Sequence, residues 1–235
     1  RRMWARMMRE EFGATDPKSW TLRFHTQTGG VTLTAQQPEN NIVRVAYQCL
    51  AAVLGGTQSL HSNGFDEALA LPTEHAATLA LRTQQILAEE TGVTATADPL
   101  AGSWFVEALT DELEQHALDW IAQIDNYGGA VNAIDEGFVQ AAIAENAYRH
   151  ERERDSGEMV IVGVNKYVVE EDGVGARIQR IDQAIVDRQV ARVVAYKAVQ
   201  DRSVVDPALD RVEAAARGSD TLLPVMKDAF LAGAT

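Results

Sequence analysis

Cysteine is almost absent: among 235 residues there is one, Cys49. A lone thiol excludes an internal disulfide framework and a cysteine-ligated zinc site. It suits a reducing, cytoplasmic setting. Positive charge is also scarce, with 21 Lys and Arg against 34 Asp and Glu and a net charge of -13. Nucleic-acid binding needs a basic face to neutralise phosphates, so that class is excluded. A local basic pocket for an anionic ligand is not. No apolar run approaches the roughly 20 residues of a membrane span, and no signal peptide is visible. The chain contains no GxGxxG, P-loop or GxSxG motif, no internal repeat and no low-complexity tract. It begins RRMWARMMREEF, without an initiator Met and already in helical pattern. The expectation is a piece of a longer polypeptide.

What is present is an ordinary globular composition, 46% hydrophobic and 23% charged, which argues against disorder. Residues 1–12 read as a helix. Residues 21–28, TLRFHTQT, alternate and are rich in Thr and Phe, which predicts a strand ending at Gly29 and Gly30. Pro38 then stands near the start of a helix whose stripe is Ile42, Val45, Ala46, Cys49, Leu50 and Val53. A second strand is expected at 57–61. A helix opening at Pro72 and Thr73 follows it and stops at Gly92. Helix, strand, helix, strand, helix implies parallel strands joined by helical crossovers. Further on, Thr110 is expected to cap a helix with a buried stripe of Leu113, Ala117, Trp120, Ile121 and Ile124. Residues 138–154 read as helix and 160–164 as a short strand. From about residue 177 helices are expected at 178–201, 207–217 and 221–232, with Asp206 and Pro207 opening the second.

His25 and Gln27 are two apart at the end of the first strand and so share a face. In an α/β barrel the carboxyl ends of strands carry the active site; the competing reading of His25 is a hydrogen-bonded core residue. Gly29 and Gly30 are either a plain turn, which a positive φ would explain, or a place where a flat ligand approaches the backbone. Gln58, Ser59 and His61 sit on the second strand, with Asn63, Asp66 and Glu67 in the loop beyond. Their spacing matches no metal motif, and a polar pocket at two adjacent strand ends is the stronger reading. Asp66 and Glu67 have a plainer alternative as caps of the next helix. Cys49, inside an apolar stripe, reads as a small buried residue. The run at 149–155 alternates in sign and reads as a solvated face.

Three blocks carry a resemblance. They are H-x-Q-T-x-G at 25–30, Q-x-x-x-N-N at 36–41 and G-x-T-Q-S-L-H-x-N-x-x-D-E-A at 55–68. ADPLAGS at 97–103 and VIVGVNKY at 160–167 extend it. The sequence closely resembles the adenosylcobalamin-dependent acyl-CoA mutases, the methylmalonyl-CoA mutase family. The resemblance implies an α/β chain: the last strands and helices of a (β/α)8 TIM barrel in residues 1–157, then a mostly helical extension in 158–235. It implies an acyl-CoA thioester along the barrel axis and adenosylcobalamin (coenzyme B12) over the carboxyl end. The cofactor supplies a 5'-deoxyadenosyl radical that takes hydrogen from the substrate and returns it after the carbon skeleton rearranges. By similarity Gly30, Glu67, Ala68 and Ala70 would contact the cofactor: Gly30 leaves room for a corrin, Glu67 accepts from ribose hydroxyls and Ala70 is small. His25, Gln27, Gln58 and Ser59 would line the cavity between substrate and cofactor.

The family's cobalt-ligand signature, D-x-H-x-x-G, is missing. The residues two before the five histidines are Arg23, Ser59, Thr73, Glu114 and Tyr148. No cobalamin-binding domain and no metal ligand are therefore expected here. The family's catalytic His and its substrate-carboxylate Arg and Tyr lie upstream of these blocks, so no catalytic residue is assigned. The resemblance implies an isomerase converting (R)-methylmalonyl-CoA to succinyl-CoA, the commonest reaction of the family. Isobutyryl-, 2-hydroxyisobutyryl- and ethylmalonyl-CoA mutases share the blocks. A non-catalytic cobalamin- or partner-binding paralogue is the reading of a different class. The implied partners are a small cobalamin-binding subunit or domain and further copies in a homodimer or heterotetramer, with neither nucleic acid nor membrane.

Overall fold

A computed structural model describes residues 1–170 and 178–235. Two compact units emerge, 1–179 and 180–235. The first is helix-rich around one pair of parallel strands, a small α/β arrangement.

Unit one begins with α1 (Arg2–Arg6), which passes into a π-helical turn, Met7–Glu11. Strand β1 (His25–Gln27) pairs in parallel with β2 (Ser59–His61) in the register His25↔Ser59, Thr26↔Leu60, Gln27↔His61. The ladder runs one bond further at each end, Gln58 N–H to Phe24 O at 3.1 Å and Thr28 N–H to His61 O at 3.0 Å. Both strands are shorter than their β-rich sequence predicts. With no third strand described, residues 21–23 have no ladder to join, and a strand persists only where its backbone groups are paired.

The crossover between the strands is α2 (Asn40–Leu54). Its stripe works as the spacing predicts: Val45 and Cys49 are buried and pack with Leu33 and Leu87, flanked by Leu50, Val53, Leu60 and Val93. A fully buried Val contributes about 1.5–3 kcal/mol. The next helix, α3 (Glu74–Glu90), lies against α2. Thr73 caps it, its hydroxyl accepting from Ala76 N–H at 3.2 Å. The strands' inner residues, Thr26 and Leu60, are half-buried, while His25, Gln27, Ser59 and His61 form the opposite, exposed face.

Helix α4 (Trp104–Asn126) starts six residues before Thr110, because Ser103 caps it by accepting from Val106 N–H. Thr110 is inside the helix and its hydroxyl donates to Val106 O at 2.7 Å. The proposed stripe is not buried. Ala117, Ile121 and Ile124 are half-covered, and Leu113 and Trp120 are exposed. The Trp120 ring lies 5.7 Å from that of Phe138, at the start of α6 (Phe138–Ser156). A short helix, α5 (Ala130–Asp135), stands between them. Residues 160–164 form a turn closed by a bridge between Val162 and Lys166, not a strand. Asn165 holds it there, its carboxamide accepting from Ile161 N–H and donating to Arg154 O and Met159 O.

Unit two contains α7 (Gln183–Ala198), α8 (Arg202–Arg217) and α9 (Leu222–Leu231). α7 begins later than the expected residue 178, where Asp182 accepts from Ala184 N–H at 2.9 Å. α8 begins at an Asp201 cap, so Asp206 and Pro207 lie within it instead of opening it. Residue 177, where this helical region was expected to begin, lies outside the described residues. The core here is Val205, Ala208, Ala229 and Ala234. No described helix is long and apolar enough to cross a membrane.

Candidate functional site

Parallel pairing brings both strands' carboxyl ends to one edge, with the loops after β1 and β2 side by side. On the exposed face the His25 imidazole Nδ1 meets the Ser59 hydroxyl at 2.7 Å across the register. Gln27 stands beside His61. Both side chains are exposed, and among the described residues neither has a hydrogen-bond partner.

Gln58 is placed differently from its three companions. It precedes β2, and its carboxamide is engaged with backbone: Oε1 accepts from Phe24 N–H at 2.9 Å and Nε2 donates to Gly56 O at 3.0 Å. It fastens the entry of the strand pair, whereas His25, Gln27 and Ser59 share the open face.

The loop after β1 is a shelf. Gly29 and Gly30 start a single 3-10 turn, Gly30–Thr32, and Val31 is 97% exposed. Neither glycine has a positive φ. A Cβ on Gly30 would meet only Asn63 Nδ2, at an ordinary 3.6 Å. Neither backbone conformation nor packing within the chain therefore calls for glycine at Gly30. What its missing side chain provides is open space above the backbone.

The loop after β2 carries the acid groups, and the two neighbours behave unlike one another. Asp66 is buried and does not itself cap α3 but holds its cap residue: Oδ2 accepts from Thr73 N–H at 3.0 Å and from its hydroxyl at 2.8 Å. Glu67 does not cap the helix. Its carboxylate turns back to the strand end, accepting from Gly64 N–H at Oε1 and from Asn63 Nδ2 at Oε2, both at 2.5 Å. Asn63 is tied to β1 by a 2.5 Å bond from the Thr28 hydroxyl to its Oδ1. Glu67, Ala68 and Ala70 stand on this loop, Ala68 exposed and the other two half-buried. Gly30 approaches the loop through Asn63, so the structure joins the Gly30 shelf to the Glu67 clamp.

Asn41 and Thr28, which belong to the blocks at 36–41 and 25–30, are structural members of the site. Asn41 is fully buried and holds the first loop to the second. It accepts from Thr34 N–H and Arg44 Nη1 and donates to Thr34 O and Phe65 O, at 2.7–3.1 Å. One signal was available: Asn41 stands four residues before Val45 and eight before Cys49, in phase with the buried stripe. A polar residue at a core phase needs partners.

The family model described as methylmalonyl-CoA mutase matches residues 1–235. The chain belongs to the methylmalonyl-CoA mutase family. Relatives within this mutase family agree over the whole length or nearly so. The chain is 44% identical over 236 residues to the 2-hydroxyisobutanoyl-CoA mutase large subunit of Aquincola tertiaricarbonis, covering 100% of this chain and 42% of that one. It is 46% identical over 237 residues to a methylmalonyl-CoA mutase of Cereibacter sphaeroides, covering 100% of this chain and 33% of that one. To the methylmalonyl-CoA mutase of Escherichia coli it is 44% identical over 225 residues, 95% of this chain and 31% of that one. The chain thus spans between 31% and 42% of these mutases.

Proposed function

We propose that this chain forms part of the catalytic subunit of an adenosylcobalamin-dependent acyl-CoA mutase, with (R)-methylmalonyl-CoA to succinyl-CoA as its leading reaction. On this reading β1 and β2 are the last two strands of a (β/α)8 barrel and residues 1–157 its closing part. A helical extension follows at 158–235, and a separate subunit or domain brings the cobalamin. Assembly is as a homodimer or heterotetramer in the cytoplasm. The observation that carries the reading is the paired edge itself: a polar strand face flanked by the Gly30 shelf and the Glu67 clamp.

The residues present fit the cofactor. Gly30 offers room that nothing inside the chain uses, as a flat macrocycle needs. Each Glu67 oxygen carries one donor and retains capacity to accept a ribose hydroxyl. Ala68 and Ala70 add no bulk to that loop. When bound, the cobalamin supplies the carbon-centred radical, and the protein's task is to position and to exclude water. His25 and Ser59 act as a linked pair that can present a hydrogen bond to a thioester oxygen. Gln27 adds a neutral amide on the same face. Gln58 holds that face in register from behind.

The test is the complete polypeptide bearing these residues, assayed with its cobalamin-carrying chain. Glu67→Ala should weaken adenosylcobalamin binding by about tenfold or more, the scale of hydrogen bonds to a charged group. Unchanged affinity together with an unchanged rate removes Glu67 from the site. Comparison of methylmalonyl-, ethylmalonyl-, isobutyryl- and 2-hydroxyisobutyryl-CoA assigns the substrate. Cofactor binding with turnover of none of them identifies a binding paralogue.

A further inference from the structure

Thr28 stands one residue past β1, at 4% exposure, and is not part of the polar face. Its hydroxyl serves one neighbour twice. It donates to Asn63 Oδ1 at 2.5 Å and accepts from Asn63 N–H at 3.0 Å. Asn63 is as deeply buried, at 4%. A carboxamide has one accepting end and one donating end, and the two are nearly equal in shape. Oδ1 accepts from the Thr28 hydroxyl, and the NH2 points the other way, toward a carboxylate that can only accept. There Nδ2 donates to Glu67 Oε2 at 2.5 Å while Gly64 N–H holds Oε1. The reversed amide would set its carbonyl oxygen against a carboxylate.

Resting on the reading above that Glu67 faces the cofactor, we propose that Thr28 is a positioning residue for cofactor binding. Its hydroxyl anchors Asn63 at both the carboxamide and the backbone N–H, and the anchored amide holds the Glu67 carboxylate. The relay crosses from the end of β1 to the loop after β2, so it also locks the two halves of the site to each other.

The experiment measures adenosylcobalamin affinity and thermal stability in the complete polypeptide with its cobalamin-carrying chain. Thr28→Val keeps the shape and deletes the hydroxyl. It should weaken cofactor binding about tenfold to a hundredfold, as loss of organised hydrogen bonds to a charge does. Thr28→Ser restores the hydroxyl and should bind like the parent. Added to Glu67→Ala, Thr28→Val should cause no further loss of affinity, because its effect runs through Glu67. A purely structural role would move the melting temperature alike in both backgrounds and leave the affinity losses multiplicative. The proposal is overturned if Thr28→Val binds like the parent while Glu67→Ala is impaired, or if the two losses multiply. If Glu67→Ala itself binds like the parent, the site reading fails first and the relay with it. Should Thr28→Val not fold, Thr28→Ala is judged by the same two comparisons.

Discussion

At the scale of single residues, much of the structural work is done by groups with no face toward a ligand. Asn41 satisfies four polar contacts from a buried position. Asn41→Ala should destabilise the chain by about 2–4 kcal/mol in urea titrations, since several buried groups lose partners at once. Asn41→Asp should cost at least as much near neutral pH, where its carboxylate would face the Thr34 and Phe65 carbonyls, and less in acid once protonated. Cys49 behaves otherwise. Burial pushes its thiol pKa up, so the folded state holds the proton when the unfolded state has released it. The sign follows: this contribution is intact below the pH at which a free thiol ionises, and is lost as pH rises through the raised value. Thiol reagents should label Cys49 at the rate of unfolding, and native-state labelling as fast as that of a free cysteine would contradict its burial. Similar logic governs the arginine beside α4. Arg2 donates to Asp111 and Glu114, which raises its already high pKa, so it stays charged throughout the working range.

At the scale of elements, tight junctions matter more than helix propensity. Gly64 joins β2 to the loop of Glu67, and a Cβ there would lie 3.0 Å from Pro72 Cβ, 3.1 Å from Asp66 Oδ1 and 3.3 Å from Ala76 Cβ. Gly64→Ala should lower stability by about 1–3 kcal/mol through overpacking and weaken cofactor binding as well, because Gly64 N–H also holds Glu67. Pro207, inside α8, has no N–H for the carbonyl one turn earlier. Pro207→Ala should raise the melting temperature of unit two by restoring that N–H, and a fall would contradict this. These junctions also mark how far the sequence could be read. The α2 stripe and the His25–Ser59 face were legible because their periods of 3.6 and 2 are set by local geometry. The Ser103 start of α4 was hidden by Trp104, Phe105 and Val106, which have strand propensity but no strand to pair with. Residues 160–164 misled for the same reason, and the Asn165 side chain decided the matter. The Glu67 clamp was out of reach because its donors come from Gly64 and Asn63, and only folding shows that Glu67 turns toward them while Asp66 turns away.

At the scale of the whole molecule, burial is uneven. α2 and α3 contain buried residues, whereas α4 and α6 contain none. Hydrogen exchange should therefore be slowest at the amides of α2, α3 and the strand pair, and fast along α4 and α6; equal protection everywhere would contradict this distribution. Trp104 at 94% exposure and Phe105 at 73% place large apolar side chains in solvent, and both strands keep an unpaired edge. Isolated at micromolar concentration, the chain should self-associate in sedimentation experiments. The parallel pairing also sets a timetable. His25 and Ser59 are 34 positions apart, and a ribosome adding roughly 5–20 residues per second needs about 2–7 s to pass from one to the other. During those seconds β1 has emerged without its partner, and its polar face exists without the groups that give it meaning. Slow synonymous codons between the two strands would lengthen that interval, and with it the opportunity for a chaperone or for a wrong neighbour.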